Sequence, residues 1–81
     1  MMEFETRLST DELVRLSTLR ALLVNGQAQQ AREAAGLSLG EVARACRVTT
    51  GTVARWESGE NRACTRRALC YLDLIEGLSD A

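Results

Sequence analysis

The sequence predicts an all-α fold, a compact five-helix bundle forming a single domain. Apolar residues recur every three or four positions along most of its 81 residues, the interval expected for the buried face of an amphipathic helix. Proline is absent, and no sustained stretch alternates between apolar and polar residues as a half-buried strand would. A chain this short buries only roughly 60% of its unfolded surface, so it must be compact to be stable alone.

The first predicted helix spans residues 10–24 and follows an N-terminus, residues 1–9, that is expected to be flexible. Ser9 and Glu12 have the spacing of a capping box, and an Asn-Gly pair at 25–26 ends the helical pattern. Its leucines recur at helical intervals, at Leu13, Leu16, Leu19 and Leu23.

The second predicted helix spans residues 27–35 and stops at Gly36, a residue suited to a left-handed helix end. Alanines occupy its inner face, and small side chains permit close helix crossing. They are Ala28, Ala31 and Ala35.

Two short helices separated by a turn of about three residues are predicted between residues 38 and 58. Ser38 and Glu41 form a second capping box before a helix at 39–46, and Thr49 is the N-cap of a helix at 50–58. This spacing lets one helix brace another in the DNA major groove. The predicted buried residues are Leu39, Val42, Ala43, Cys46, Val53 and Trp56.

A closing helix is predicted at 65–77, after a polar loop at 60–64, and it completes a domain spanning 10–78. Thr65 is its expected cap, and Gly77 is its expected end. Its predicted buried residues are Ala68, Leu69, Leu72 and Ile75.

The charges are unevenly distributed, although the formal net charge is only −1. Residues 44–67 hold six arginines and two acids, whereas the rest of the chain holds four arginines and nine acids. A positive segment between acidic ends fits a protein that docks one face on a polyanion. The alternative is an ordinary solvated surface of mixed charge.

Composition and motifs argue against an enzyme. Histidine is absent, and there is neither a glycine-rich phosphate loop nor a nucleophile with a partner base at recognisable spacing. The three cysteines, Cys46, Cys64 and Cys70, contain no CxxC pair, so small buried side chains are favoured over a metal site or a disulfide. We expect no cofactor, no metal and no membrane segment, and a cytoplasmic location.

The segments AREAAGLS (31–38), EVA (41–43) and VTTGTVARWESGE (48–60), with the closing apolar helix, resemble the lambda-repressor/Cro-like (XRE) helix-turn-helix family. The resemblance covers residues 24–78, about two-thirds of the chain. It implies a DNA-binding domain with an extra N-terminal helix, in which the helix at 50–58 reads bases in the major groove.

The resemblance places base reading on Thr50, Gly51, Thr52 and Arg55. Independent chemistry supports this assignment, because the guanidinium of Arg55 can pair with O6 and N7 of guanine and threonine can contact a base or the thymine methyl. Phosphate contacts are expected from loop and turn residues. These residues are Arg47, Asn61, Arg62, Arg66 and Arg67.

In the resembled family, residues at the Arg32 and Glu57 positions form an ion pair that fixes the recognition helix, so we expect a partly buried pair here. Two positions depart from the family pattern. Leu39 replaces a usual glutamine, which removes a phosphate contact. Arg47 replaces a usual glycine in the turn, so either the turn is shaped differently or Arg47 accepts backbone strain because it reaches DNA.

We expect double-stranded DNA as the partner of a homodimer, because one recognition helix covers only a few base pairs. A small phage or bacterial Cro-type repressor is favoured over two alternatives: an antitoxin that binds its toxin through the N-terminal helix, and a protein-interaction module without DNA binding. Two stripes could form the dimer interface or belong to the core. They are Leu13, Leu16 and Leu23, and Tyr71, Leu74 and Leu78.

Overall fold

A computed structural model describes residues 8–80 and shows an all-helical chain, which confirms the predicted fold class. Residues 1–7, most of the segment expected to be flexible, lie outside the described residues. The elements in chain order are α1 (Thr10–Val24), α2 (Gln27–Ala34), α3 (Leu39–Cys46), α4 (Thr50–Ser58), a 3₁₀ turn (Arg66–Ala68) and α5 (Leu69–Asp80).

Local caps set the helix starts at the predicted positions. At α1, the Glu12 amide donates to Ser9 Oγ at 3.1 Å and the Ser9 amide donates to Glu12 Oε1 at 2.9 Å. Ser38 and Glu41 repeat this reciprocal arrangement at α3, with distances of 3.0 and 2.8 Å. At α4, Thr49 Oγ1 accepts from the Thr52 amide at 3.1 Å. Each cap satisfies backbone donors that a helix start leaves without partners.

The closing helix differs from its prediction at both ends. It enters through the 3₁₀ turn, closed by a bond from the Ala68 amide to the Thr65 carbonyl at 3.0 Å, and the Thr65 side chain makes no capping bond. At the other end, α5 continues through Gly77, which does not adopt a positive φ. A glycine ends a helix in this way when its backbone is left-handed, so the presence of Gly77 in the sequence did not by itself locate the end of α5.

The core joins α1 to the rest of the bundle. Leu16 and Leu19 on α1 are fully buried, as are Val42 of α3, Val53 of α4 and Leu72 of α5. The extra helix is therefore an integral part of the fold. Two predicted inner positions, Ala31 and Leu39, are half-buried and pack against the core, whereas Ala35, the C-cap residue just beyond α2, is exposed, contrary to prediction. Within residues 8–80, no helix combines the length and apolar character that a bilayer span requires.

Helix α4 is attached to α2 by a buried ion pair. Arg32 Nε donates to Glu57 Oε2 at 2.7 Å and Arg32 Nη2 donates to Oε1 at 2.9 Å, a bidentate geometry. The two side chains are only 8% and 6% exposed. Arg32 Nη1 also donates to the Leu37 carbonyl at 2.9 Å. The bonds to Glu57 raise the pKa of Arg32 above its usual value, since the carboxylate stabilises the charged form.

Tyr71 of α5 completes this cluster, so of the two places predicted for it, a dimer surface or the core, it occupies the core. The residue is fully buried, and its hydroxyl lies 2.5 Å from Glu57 Oε2, to which it donates, and 3.3 Å from the Ala28 carbonyl. Burial first, and the neighbouring carboxylate second, raise the pKa of Tyr71. The tyrosine therefore stays protonated and keeps donating to Glu57, which ties α2, α4 and α5 together.

We predict that Arg32→Ala lowers the free energy of unfolding by about 3 to 5 kcal/mol, because it leaves the carboxylate of Glu57 buried without its cation. Tyr71→Phe removes only one hydrogen bond to a charged group and should cost about 1.5 to 3 kcal/mol. Urea unfolding followed by circular dichroism measures both. Arg44→Ala, at an exposed position, is the control, and its free energy of unfolding should stay within about 0.5 kcal/mol of the parent's. If Arg32→Ala changed stability no more than Arg44→Ala does, the role of the pair would be contradicted.

Candidate nucleic-acid interface

The turn between α3 and α4 closes on a left-handed backbone at Arg47, the conformation that would suit the glycine expected at this position. Arg47 is left-handed, with φ 61° and ψ 41°, and is the one described residue other than glycine with positive φ. The Val48 amide donates to the Ala43 carbonyl at 3.0 Å and the Arg47 amide to the Arg44 carbonyl at 3.3 Å. This paired pattern satisfies the last carbonyls of α3.

The left-handed backbone at Arg47 carries a cost, roughly 1 to 2 kcal/mol for a residue with a Cβ. A partial compensation comes from Arg67, whose Nη1 donates to the Arg47 carbonyl at 3.3 Å. The Arg47 side chain itself is exposed at the end of α3. The turn therefore keeps a left-handed residue at position 47, and Arg47 adopts this strained conformation although it has a Cβ.

The outer face of α4 presents Thr50 and Arg55, which are both exposed. Thr52 is half-buried, and its hydroxyl lies 2.8 Å from Thr49 Oγ1 in a hydrogen bond. A base contact by Thr52 would have to share or break this bond. Thr50 and Arg55 are thus the more accessible of the residues predicted to read bases.

Gly51 provides the surface on which the Arg55 guanidinium rests. A Cβ added at Gly51 would lie 3.1 Å from Arg55 Nη1 and 3.6 Å from both Cζ and Nη2. The guanidinium therefore folds back over the first turn of α4, in the direction that helical side chains favour. It therefore lies over Gly51, close to the N-terminal end of α4.

An open groove of about 870 Å³ runs between α4 and the segment that follows it. Val48, Thr52 and Trp56 form one side, and residues 61–67 form much of the other. Arg62 and Arg67, two of the residues expected to contact phosphate, line this second side, and both are exposed. A groove with arginines along one edge offers a phosphodiester strand favourable electrostatics.

Arg66 lines the same groove but has an intramolecular role that sequence analysis did not foresee. Its Nε donates to Glu12 Oε2 at 2.6 Å and its Nη2 donates to Glu12 Oε1 at 3.0 Å. The hydrogen bonds from Arg66 and then from the Ser9 amide lower the pKa of Glu12 to about 2. A phosphate would have to compete with Glu12 for this guanidinium.

Asn61, predicted to contact phosphate, lies against Arg55. Its backbone amide donates to the Arg55 carbonyl at 3.0 Å. Only one orientation of its side-chain amide satisfies both groups: the oxygen then accepts from Arg55 Nε at 3.2 Å and the nitrogen donates to the Glu60 carbonyl at 3.2 Å.

The cysteines have three different environments, so the expectation that all are buried is wrong for one of them. Cys46 is buried, Cys70 is half-buried with its thiol 3.4 Å from the Ala45 carbonyl, and Cys64 is exposed at the groove. Burial, aided by contact with Cys70, raises the pKa of Cys46 to about 12. Among the residues that the structure describes, no three potential metal ligands lie together.

Comparison with known families agrees with this geometry. A family model described as a helix-turn-helix domain matches residues 26–81, well over half of the chain. The chain belongs to this helix-turn-helix family, consistent with the lambda-repressor/Cro-like resemblance in its sequence. No curated protein and no solved structure matches it.

The pair between Glu12 and Arg66 should make stability depend on pH in the acid range. Because the pKa of Glu12 is about 2 in the folded chain and near 4.5 without its partners, the stabilisation is present above pH 4.5 and is lost as the pH falls toward 2. Glu12→Gln keeps a capping-box side chain and removes the charge. Urea unfolding at several pH values measures the free energy of unfolding. Below pH 4.5 this free energy should fall less for Glu12→Gln than for the parent, and an equal fall in both proteins would contradict the assignment.

Proposed function

We propose that this protein is a sequence-specific regulator of transcription that inserts α4 into the major groove of double-stranded DNA. The observation that carries the proposal is the position of Arg55, exposed on α4 with its guanidinium above Gly51. Membership of a helix-turn-helix family supports it. The buried pair of Arg32 and Glu57 supports it as well, because a rigidly oriented helix is needed to read bases.

In this proposal, Thr50 and Arg55 read the base edges. Gly51 allows the backbone of α4 to approach the DNA closely, and Thr52 makes a smaller contribution to base reading. Thymine methyl groups and guanine acceptors are the chemical targets that suit these side chains. The phosphates are contacted by arginines of the turn, the loop and the 3₁₀ turn. These are Arg47, Arg62, Arg67 and, in competition with Glu12, Arg66.

We further propose a homodimer on a near-palindromic operator, acting as a small Cro-type repressor of a phage or bacterium in the cytoplasm. Two half-sites about one helical turn (~34 Å) apart provide the specificity that one short helix lacks. Leu16 and Leu23 of the predicted α1 stripe are buried in the core, but the outer side of α1 is still the better candidate interface, because Leu13, Val14 and Val24 are 49%, 59% and 85% exposed. The stripe on α5 is a poor candidate, since Tyr71 is buried and Leu74 packs against the core.

Selection of bound fragments from random duplexes tests the function directly. We expect a motif with two-fold symmetry, and we expect Arg55→Ala to lose the preference at one base pair of each half-site while keeping the parent's melting temperature. Retention of a non-specific affinity that falls with salt would identify the remaining phosphate contacts. If the parent showed no preference among duplexes at any ionic strength, the proposed function would be wrong.

Arg47→Gly separates stability from binding at the turn. Glycine removes the left-handed strain but adds conformational freedom to the unfolded chain, so we expect a net gain of about 0.5 to 1 kcal/mol in stability. DNA binding should nevertheless weaken for all sequences, and the slope of log K against log salt should fall by about 1 per site. Thermal melts and fluorescence anisotropy at several salt concentrations measure the two effects, and unchanged affinity would show that Arg47 makes no phosphate contact.

The exposed apolar side of α1 also supports a second candidate function, an antitoxin that binds its toxin through this helix. Co-purification of one stoichiometric partner from the native host would favour the antitoxin. A third possibility, a protein-interaction module without DNA binding, would be favoured by mobility shifts that Arg55→Ala leaves unaffected.

A further inference from the structure

The contacts of Asn61 indicate a role different from the phosphate contact that its sequence position predicts. Both groups of its side-chain amide have protein partners in the orientation that satisfies them, Arg55 Nε and the Glu60 carbonyl, each at 3.2 Å. The backbone bond from Asn61 to the Arg55 carbonyl at 3.0 Å fixes the loop in this place. Asn61 therefore holds the residue best placed to read a base.

The Arg55 guanidinium lies above the first turn of α4, between Asn61 and Gly51. In the amide orientation that gives both of its groups partners, the Asn61 oxygen accepts from Arg55 Nε at 3.2 Å. Gly51 leaves room for the terminal nitrogens, because Nη1 lies only 3.1 Å from the position that a Cβ would occupy. A larger residue at position 51 would push the guanidinium outward, whereas the asparagine bond favours its position above this turn.

These restraints determine which edge of the guanidinium remains available. The Nε edge is used by Asn61, whereas the edge formed by Nη1 and Nη2 offers two nearly parallel donors. Guanine presents two adjacent acceptors in the major groove, O6 and N7, which match this edge. Adenine presents one acceptor and one donor there, so the N6 amino group would face a guanidinium donor.

We propose that Asn61 is a positioning residue for base recognition, which presents the Nη1 and Nη2 edge of Arg55 to a guanine in each half-site. The inference rests on the proposed DNA-binding function. It adds to that function the identity of the base that Arg55 reads, guanine, and the residue that makes this reading selective, Asn61. A phosphate contact by Asn61 would strengthen binding to all sequences equally, whereas a positioning role acts on one base pair.

The test measures the affinity of four proteins for the selected operator and for its three single-base variants at each half-site position. We expect the parent to prefer guanine at one position on the order of tenfold, the effect of one bidentate contact. Arg55→Ala and Asn61→Ala should both lose most of this preference at that same position. Arg62→Ala, the matched control on the same loop, should weaken binding to all four duplexes equally, and circular dichroism melts verify that each variant is folded.

Asn61→Asp distinguishes positioning from direct contact. Aspartate keeps an oxygen that can accept from Arg55 Nε but adds a negative charge near the DNA, so affinity should fall for every duplex while the guanine preference is retained. A full guanine preference in Asn61→Ala, or a loss equal at all bases as in Arg62→Ala, would overturn the inference and leave the proposed function intact. A parent protein without preference for any duplex would instead overturn both.

Discussion

The orientation of the recognition helix depends on one buried polar cluster, formed by Arg32, Glu57 and Tyr71. Arg32 makes two bonds to Glu57 and one to the Leu37 carbonyl, and Tyr71 donates to the same carboxylate. Such a cluster is weak evidence for net stability, because burying two charges costs several kcal/mol. The cluster instead fixes geometry, because its directional bonds set the rotational orientation of α4 about its own axis relative to α2 and α5. That rotation decides which side chains of α4 face outward.

The arginines of the interface share a second property, which is that most are restrained by the protein itself. Arg55 is held by Asn61, Arg66 by Glu12, and Arg67 by the carbonyl of Arg47. Ordering a long side chain on binding costs roughly 0.5 to 1.5 kcal/mol, so residues that are already restrained reduce this cost. The same restraints link α1 to the groove, because Glu12 lies on the extra helix while Arg66 lies at the groove.

Much of the fold was predictable from local signals. Capping boxes at Ser9 and Ser38 and the N-cap Thr49 act within one turn, so they identify helix starts without knowledge of the remaining chain. The closing helix was predicted less well, because its 3₁₀ entry depends on a segment packed between α4 and α1. Tyr71 was left open between the core and a dimer surface, although its spacing from Ala68 and Ile75 places it on the same buried face.

Residue order and helical periodicity suffice to predict the helix-turn-helix spacing, the concentration of arginine between residues 44 and 67, and the outward placement of Thr50 and Arg55. Which arginines have intramolecular partners depends instead on the packed fold. Glu12 and Arg66 are 54 residues apart, and Arg47 and Arg67 are 20 apart, so no local pattern connects them. Contacts of this kind arise from the packing of the helices, which periodicity constrains but does not specify.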